Sequence, residues 1–289
     1  MATNPLEIFF WDVQHGNAIY IRTPNGLNIV IDLGVGSYGG EATFSPLLHL
    51  KRMYYVQQLD CVIITHPHKD HIDDIMNFYT LSPRSFACPR ELLRQDIMPG
   101  VRPDDRYLFE QYFKISDAYP PPAPLAGNCL MSQNNGGVDF KLFPSPLCDK
   151  ANINNHSVVT VISYANSKII IPGDNEPPSW TELLRNEAFV AAITKADVLL
   201  APHHGRNSGF CADIFQHFNP YITIISDGAA CDNSATDRYS KVSRGWQVRH
   251  RDTRPEEVRK CLTTRSDGVI VARFGYNTNG TPFMGFVAN

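Results

Sequence analysis

Three histidines and an aspartate fall within six residues, His66-Pro67-His68-Lys69-Asp70-His71, directly after the apolar segment Cys61-Val62-Ile63-Ile64. Packing gives no reason for so many titratable side chains at the end of a buried strand, so the chain has to fold around a site that uses them. Pro67 bars a helix, and an extended exit from the strand sends His66 and His68 to the same side, where they can share one ion. Asp70 and His71 sit at the entrance of a helix expected to begin near Ile72. They are offset enough to serve a second ion close to the first, as paired-metal hydrolases require. Nitrogen donors with a carboxylate suit Zn²⁺, with Mn²⁺ or Fe as competitors.

Further donors recur at strand ends downstream: His156 ahead of Ser157–Tyr164, Asp174 after Lys168–Pro172, and His203-His204 after Asp197–Ala201. Alone, each has a plain reading as a surface histidine or a capping aspartate. Together, in this order, they are what a sandwich with its site along one edge presents. Other strand-like segments are Leu6–Trp11, Ala18–Arg22, Asn28–Asp32, Cys61–Thr65, Asp139–Pro144, Tyr221–Ser226 and Gly268–Phe274. Helix-like segments are Ser45–Gln58, Asp105–Asp117, Ser179–Lys195, Ser208–Phe218 and Pro255–Leu262, with Ser179 and Ser208 as N-caps and Pro255 in a first turn. Hairpins first and strand–helix alternation later imply a mixed α/β sandwich.

A chain of 289 residues, 43% of them hydrophobic, can bury a core as one domain spanning 1–289. Residues 84–137 hold few strand signals, the proline run Pro120-Pro121-Pro122-Ala123-Pro124 and Gly136-Gly137, and are expected to form an insertion or lid over the site. No apolar run approaches the roughly 20 residues of a membrane span. The N-terminus has no signal-peptide layout, and the seven cysteines are scattered without a Cys-x-x-Cys pair. A cytoplasmic protein with reduced thiols is expected. Net charge of −3 excludes a broadly basic nucleic-acid binder. A local basic segment remains: residues 238–265 hold nine Lys or Arg against three Asp or Glu, with Tyr239 and Trp246 interleaved. It reads either as a track for a nucleic-acid backbone with base stacking or as a solvated surface.

The donor pattern resembles the metallo-β-lactamase superfamily, whose signature is HxHxDH followed by a His, a bridging Asp and a final His. Within it the likeness is to the soluble hydrolase domain of the ComEC family of competence (DNA-uptake) proteins. That family's DVGQGDA-like turn is matched by Asp12-Val13-Gln14-His15-Gly16-Asn17-Ala18, leading to Ile29-Val30-Ile31-Asp32-Leu33-Gly34. Its NNxS, GD and PHHG turns are matched by Asn154-Asn155-His156-Ser157, Gly173-Asp174 and Pro202-His203-His204-Gly205, and its late strands by Ile224-Ile225-Ser226 and Thr264–Ile270. Departures are Asn17 in place of Asp, His15 within the glycine-rich turn, and no Tyr-Gly-His-Pro turn in residues 232–250. The membrane portion of competence proteins has no counterpart here, so the resemblance does not imply transport.

The resemblance implies a four-layer αβ/βα sandwich binding two divalent ions, Zn²⁺ with Mn²⁺ as the alternative. One ion would take His66, His68 and His156; the other Asp70, His71 and His204, with Asp174 bridging. His204 is preferred to His203 because Pro-His-His-Gly aligns with the superfamily's Pro-Gly-His-Gly turn. Asp70, Asp174 and His203 are then the expected catalytic residues, His203 as a proton donor to the leaving group. The ions would lower the pKa of a shared water to about 7 and supply a metal-bound hydroxide. Thr65, Lys69, Asp73 and Ser157 are candidates for orienting ligands, although Asp73 and Asp74 read equally as a helix N-terminus and Lys69 as solvated. Lys69, Arg206, Asn207 and Ser208 are candidate substrate contacts, suited to phosphate. The expected function is a phosphodiesterase or nuclease acting on DNA, RNA or a nucleotide. The alternatives are hydrolysis of a lactone, β-lactam or thioester, or a degenerate binding subunit. No residue identifies a protein partner.

Overall fold

The computed structural model describes residues 4–36, 44–121, 127–228, 235–251 and 255–289. The apolar runs become strands β1 (Leu6–Phe10), β2 (Ile19–Arg22), β3 (Asn28–Ile31), β4 (Cys61–Ile63), β5 (Phe86–Ala87), β6 (Asp139–Phe143), β7 (Val159–Tyr164), β8 (Ser167–Ile171), β9 (Val198–Leu200), β10 (Ile222–Ile225), β11 (Trp246–His250), β12 (Glu257–Arg259), β13 (Cys261–Thr263), β14 (Ile270–Tyr276) and β15 (Pro282–Ala288). They form a nine-stranded sheet, β12-β11-β15-β14-β1-β2-β3-β4-β5, and a six-stranded sheet, β13-β10-β9-β8-β7-β6. The α-helices are α1 (Pro46–Met53), α2 (Lys69–Ile72), α3 (Arg94–Ile97), α4 (Arg106–Ala118), α5 (Pro177–Leu183), α6 (Glu187–Ile193), α7 (Thr236–Val242) and α8 (Thr264–Asp267).

Period-two alternation decides the layering. Ile8, Ile19, Ile21, Ile29, Ile31 and Ile63 face Ile162, Ile169, Ile171, Leu200 and Ile224 between the sheets. Phe9, Tyr20, Val30 and Val62 point the other way, onto Leu47 and Leu50 of α1 and Leu108, Phe109 and Tyr112 of α4. On the far side Val161, Ile170 and Leu199 meet Trp180, Leu183, Phe189 and Tyr239. The result is helix, sheet, sheet, helix. Parallel pairing of β3 with β4 and of β8, β9, β10 and β13 brings several strand C-termini to one edge, where the expected donors lie.

Several local expectations are corrected. Pro255–Leu262 is not a helix: its residues pair as β12 against β11 and β13 against β10, so cross-strand partners override the Pro-Glu-Glu start signal. Ser208–Phe218 gives two 3₁₀ turns, Asn207–Gly209 and Ala212–Gln216. Ser179–Lys195 divides into α5 and α6 at Asn186, whose side chain caps Ala188 and Phe189, and α5 starts after Glu176 with Pro177, not at Ser179. The helix after the histidine cluster begins at Lys69. Residues 122–124 of the proline run lie outside the described residues. Among the described residues no helix is long and apolar enough to cross a membrane.

Candidate metal centre

β4 ends at Ile63, and Thr65, His66 and α2 follow it into the edge between the sheets. The backbone of α2 is gripped from the side: Asn17 N–H donates to the Asp70 carbonyl at 3.2 Å and Leu33 N–H to that of His71 at 2.8 Å. β8 ends at Gly173-Asp174. Gly173 has φ +61°, and a Cβ there would lie 2.8 Å from the Cβ atoms of both Ser157 and Thr65, so only glycine lets this turn press in. Asp174 N–H donates to Ser157 Oγ at 3.0 Å. After β9, His203 and His204 both adopt left-handed backbone (φ 51° and 53°), which costs about 1–2 kcal/mol per non-glycine residue. Two strained residues in succession mark a turn shaped by more than packing.

Asp70, His71, Asp174 and His204 offer ligand atoms that all lie within 4.8 Å of one another, a group that could hold a metal ion. His71 Nε2 is 3.3 Å from Asp174 Oδ1, and His204 Nε2 is 3.2 Å from Asp70 Oδ2 and 3.4 Å from Asp174 Oδ2. Ligands about 2.1 Å from one ion stand roughly this far apart. Both rings are held from behind. His71 Nδ1 donates to the fully buried Asp32 Oδ2 at 2.8 Å, and His204 Nδ1 to the Ser226 carbonyl at 2.9 Å, leaving each Nε2 turned inward. Asp32 also accepts from Thr65 N–H, Thr65 Oγ and Asn17 Nδ2.

The set expected for the other ion is looser. His66 Nε2 lies 3.0 Å from His68 Nδ1 and 3.8 Å from Asp174 Oδ2. His156 is buried, with Nδ1 3.4 Å from Glu91 Oε1. None of these three belongs to the compact four-donor group. The donor chemistry of both sets nevertheless fits a cation. His156 Nε2 is buried without a hydrogen-bond partner among the described residues, as a donor atom kept for a cation is, and His71 Nε2 faces the Asp174 carboxylate.

Electrostatics separates the two sets. Burial would lower His204, but Asp174 and Asp70 outweigh it and push the imidazole up to about 10. His71 is likewise carried well above its usual range by Asp174, Asp32 and Asp70 against the cost of burial. Burial would raise Asp174 and Asp70. His204 and His71 hold Asp174 well below the carboxylate range, and His71, His15 and His204 do the same for Asp70. His66 and His68 move the other way, lowered mainly by burial.

The other expected site residues fall into distinct places. His203 stands beside the centre, its Nε2 4.0 Å from Asp174 Oδ2, with Glu176 Oε1 and Ser208 Oγ each 3.0 Å from Nδ1. An Arg206 guanidinium nitrogen is 3.4 Å from His203 Nε2, and Asn207 accepts from Arg238. Lys69 turns away to Asp105 at 2.8 Å. Asp74 accepts from Leu47 N–H and Ser45 Oγ and so braces the start of α1 rather than a ligand. A cavity of about 870 Å³ opens beside the centre, lined by His15, His68, Asp70, Phe109, Lys150 and Ile153 among others. Residues 96–109 form part of its wall. Tyr239 is only 1% exposed and packs on Phe210, so it is not available to stack on bases. Sequence reasoning passed over Asp32, Glu176, Glu91 and the Ser226 carbonyl. Asp32 and Ser226 left a trace, each as a polar residue ending an apolar strand in a matched segment.

Two sheets back to back between helices, with these donors following β4, β8 and β9 along one edge, decide the architecture. The chain is a four-layer αβ/βα sandwich of the kind that the resemblance to the metallo-β-lactamase superfamily implies. No family model matches the sequence. It is 24% identical over 245 residues to ComE operon protein 3 of Bacillus subtilis (strain 168), covering 77% of this chain and 28% of that protein. It is 23% identical over 230 residues to the uncharacterized protein YcaI of Escherichia coli (strain K12), covering 76% of this chain and 25% of that one. The chain therefore spans about a quarter of the length of the curated relatives it matches. Among solved structures it is similar to the metallo-β-lactamase fold protein YhfI from Bacillus subtilis, with a TM-score of 0.34 and 15% identity, over 68% of this chain and 70% of that one.

Proposed function

We propose that this metallo-β-lactamase fold chain is a dinuclear-metal phosphodiesterase whose substrate is compact, a nucleotide phosphodiester or the end of a DNA or RNA strand. One observation carries the reading: the donors His66, His68, Asp70, His71, Asp174 and His204 converge beside a cavity of about 870 Å³ that Asp70 and His68 face. Divalent ions such as Zn²⁺ or Mn²⁺ supply water activation and offset charge on phosphoryl oxygens when bound there. Asp174, with one oxygen or the other 3.3–3.8 Å from His71, His204 and His66, suits the bridging role between the sets. Asp32 and the Ser226 carbonyl fix the tautomers that present Nε2. Glu176 accepts from His203 Nδ1 and orients the ring so that Nε2 faces the centre, where it can relay a proton, and Arg206 beside it offers a guanidinium to a phosphoryl oxygen.

A compact substrate is favoured over a strand laid along a basic groove because the cavity's lysines are matched by acids, Lys69 by Asp105 and Lys150 by Asp96, each at 2.8 Å. The apolar wall of Pro67, Ile97, Val101, Phe109 and Ile153 favours a second reading, hydrolysis of a lactone or thioester. Turnover of bis(p-nitrophenyl) phosphate, dinucleotides, single-stranded and plasmid DNA, a lactone and a thioester, by wild type and Asp174→Asn loaded with Zn²⁺ or Mn²⁺, tests both. Phosphodiester cleavage lost in the variant is expected. Cleavage of the carbonyl substrates alone supports the second reading, and no turnover with two ions bound overturns both.

A further inference from the structure

We infer that His15 is a positioning residue of the Asp70 cation set, holding the Asp70 carboxylate from the cavity side; the inference rests on the dinuclear reading above. His15 Nε2 lies 3.3 Å from Asp70 Oδ2, the same oxygen that His204 Nε2 approaches at 3.2 Å, and the two rings stand 4.7 Å apart. His15 lies outside the compact four-donor group, so it acts on a ligand and is not counted as one.

Asp70 is the donor that needs this help. Its side chain is 20% exposed, against 5% for Asp174, and it faces the cavity. His71 is fixed by Asp32, His204 by the Ser226 carbonyl and the Asp174 backbone by Ser157, whereas His15 is the side chain that approaches the Asp70 carboxylate from outside the group. A carboxylate free to rotate would spend binding free energy on being ordered at the moment a cation arrives.

The turn that carries His15 is built as a rigid mount. Gln14 has φ 58° and bonds Asp12 Oδ1 through both its N–H and its Nε2. Gly16 has φ +133°, and a Cβ there would lie 2.7 Å from the Asp70 carbonyl oxygen, so the turn lies flat on α2. Ser226 Oγ donates to the Gly16 carbonyl at 2.8 Å, tying the same turn to the end of β10. Two positive-φ residues and ties to both α2 and the end of β10 hold this turn, and with it His15, in one place.

The test compares wild type, His15→Leu, which keeps size without a donor, and His15→Gln, which keeps a donor. Each protein is stripped with a chelator and titrated with Co²⁺, following heat and visible absorption, and the metal-free proteins are melted. His15→Leu is expected to weaken one of two binding events by about 10–100-fold and change its absorption, with the other event unmoved. His15→Gln should recover part of the loss. Two events equal to wild type in His15→Leu overturn the proposal. So does equal weakening of both events in both variants with a lowered melting temperature, since that is the mark of a packing role. Fewer than two events in the wild type would overturn the dinuclear reading itself, and this inference with it.

Discussion

In the set around Asp70 the donors lean outward: His71 on Asp32, His204 on the Ser226 carbonyl and Asp70 on His15. In the set around His66 the support is looser: His66 Nε2 stands 3.0 Å from His68 Nδ1 and its Nδ1 3.2 Å from the Thr65 hydroxyl, and His156 Nδ1 meets the Glu91 carboxylate at a longer 3.4 Å. The difference has an electrostatic counterpart. Carboxylates outweigh burial in the first set and raise His71 and His204, while burial outweighs them at His66 and His68 and lowers both. A cation entering the Asp70 set finds its ligands arranged but competes with protons that the carboxylates favour; His66 and His68 hold protons less tightly, and their rings must be ordered.

Asp174 belongs to both sets, so its loss should erase the contrast and produce the largest effect. Asp174→Asn is expected to lower kcat by at least about 10²–10³-fold, as removal of a preorganised electrostatic stabiliser does, and to weaken both cation-binding events in titration calorimetry. An unchanged second event would show that the sets do not share this carboxylate.

Asp32→Ala should split the two sets. It removes a fully buried carboxylate that meets His71, Thr65 and Asn17, and breaking such a network costs about 3–5 kcal/mol, measurable by urea unfolding of the metal-free protein. Cation affinity should fall about 10–100-fold at the Asp70 set and less at the His66 set, which Asp32 reaches through the Thr65 hydroxyl. Equal loss at both sets would mean that the outward braces do not act locally.

How legible the molecule is in its sequence follows the same divide. His66, His68, Asp70 and His71 are readable because they are consecutive, and β4 ahead of them is a plain apolar run. Asp32 is not, because it acts across the sheet from the end of β3, in a left-handed conformation (φ 60°) that no local pattern announces. His15 reads as a blemish in a glycine-rich turn until α2 is seen beside it. At the other end of the chain, Pro255–Leu262 reads as a helix, yet β11 pairs with Glu257–Arg259 and β10 with Cys261–Thr263. β15 escapes notice because Pro282, Gly285 and mixed burial break its alternation.

Protons give the next contrast. His204 and His71 have native values above the ordinary 6.5, so their contribution to stability is complete below about that pH and is lost as pH rises, for His204 toward about 10. Asp70 and Asp174, held below 3.8, contribute above that value and lose their contribution as pH falls through their native values. His66 and His68, lowered from 6.5, penalise the native state as pH falls below it. The melting temperature of metal-free protein should therefore decline between neutral pH and about 10, and bound cation should remove that decline by replacing the protons. Calorimetry in buffers of different ionisation enthalpy should find more protons released on loading the Asp70 set than on loading the His66 set. Equal release in both would break the distinction between the sets.

The smallest effect is expected farthest from either set. β11 and β4 are six positions apart in the nine-stranded sheet, about 29 Å along it at ordinary strand spacing. Three cations of that region are already engaged: Arg249 with Glu256 at 2.9 Å, Arg259 with Asp267 at 3.1 Å, and Arg244 over the Tyr221 ring. Arg249→Ala should leave turnover of bis(p-nitrophenyl) phosphate unchanged and stability within about 0.5 kcal/mol. Arg206→Ala, beside His203, should lower the same turnover clearly. The informative substrate is plasmid DNA. If Arg249→Ala cuts plasmid cleavage and flattens its salt dependence while sparing the small ester, a strand spans the sheet from the β11 edge to the metal centre, and the compact-substrate reading gives way to a tracking nuclease.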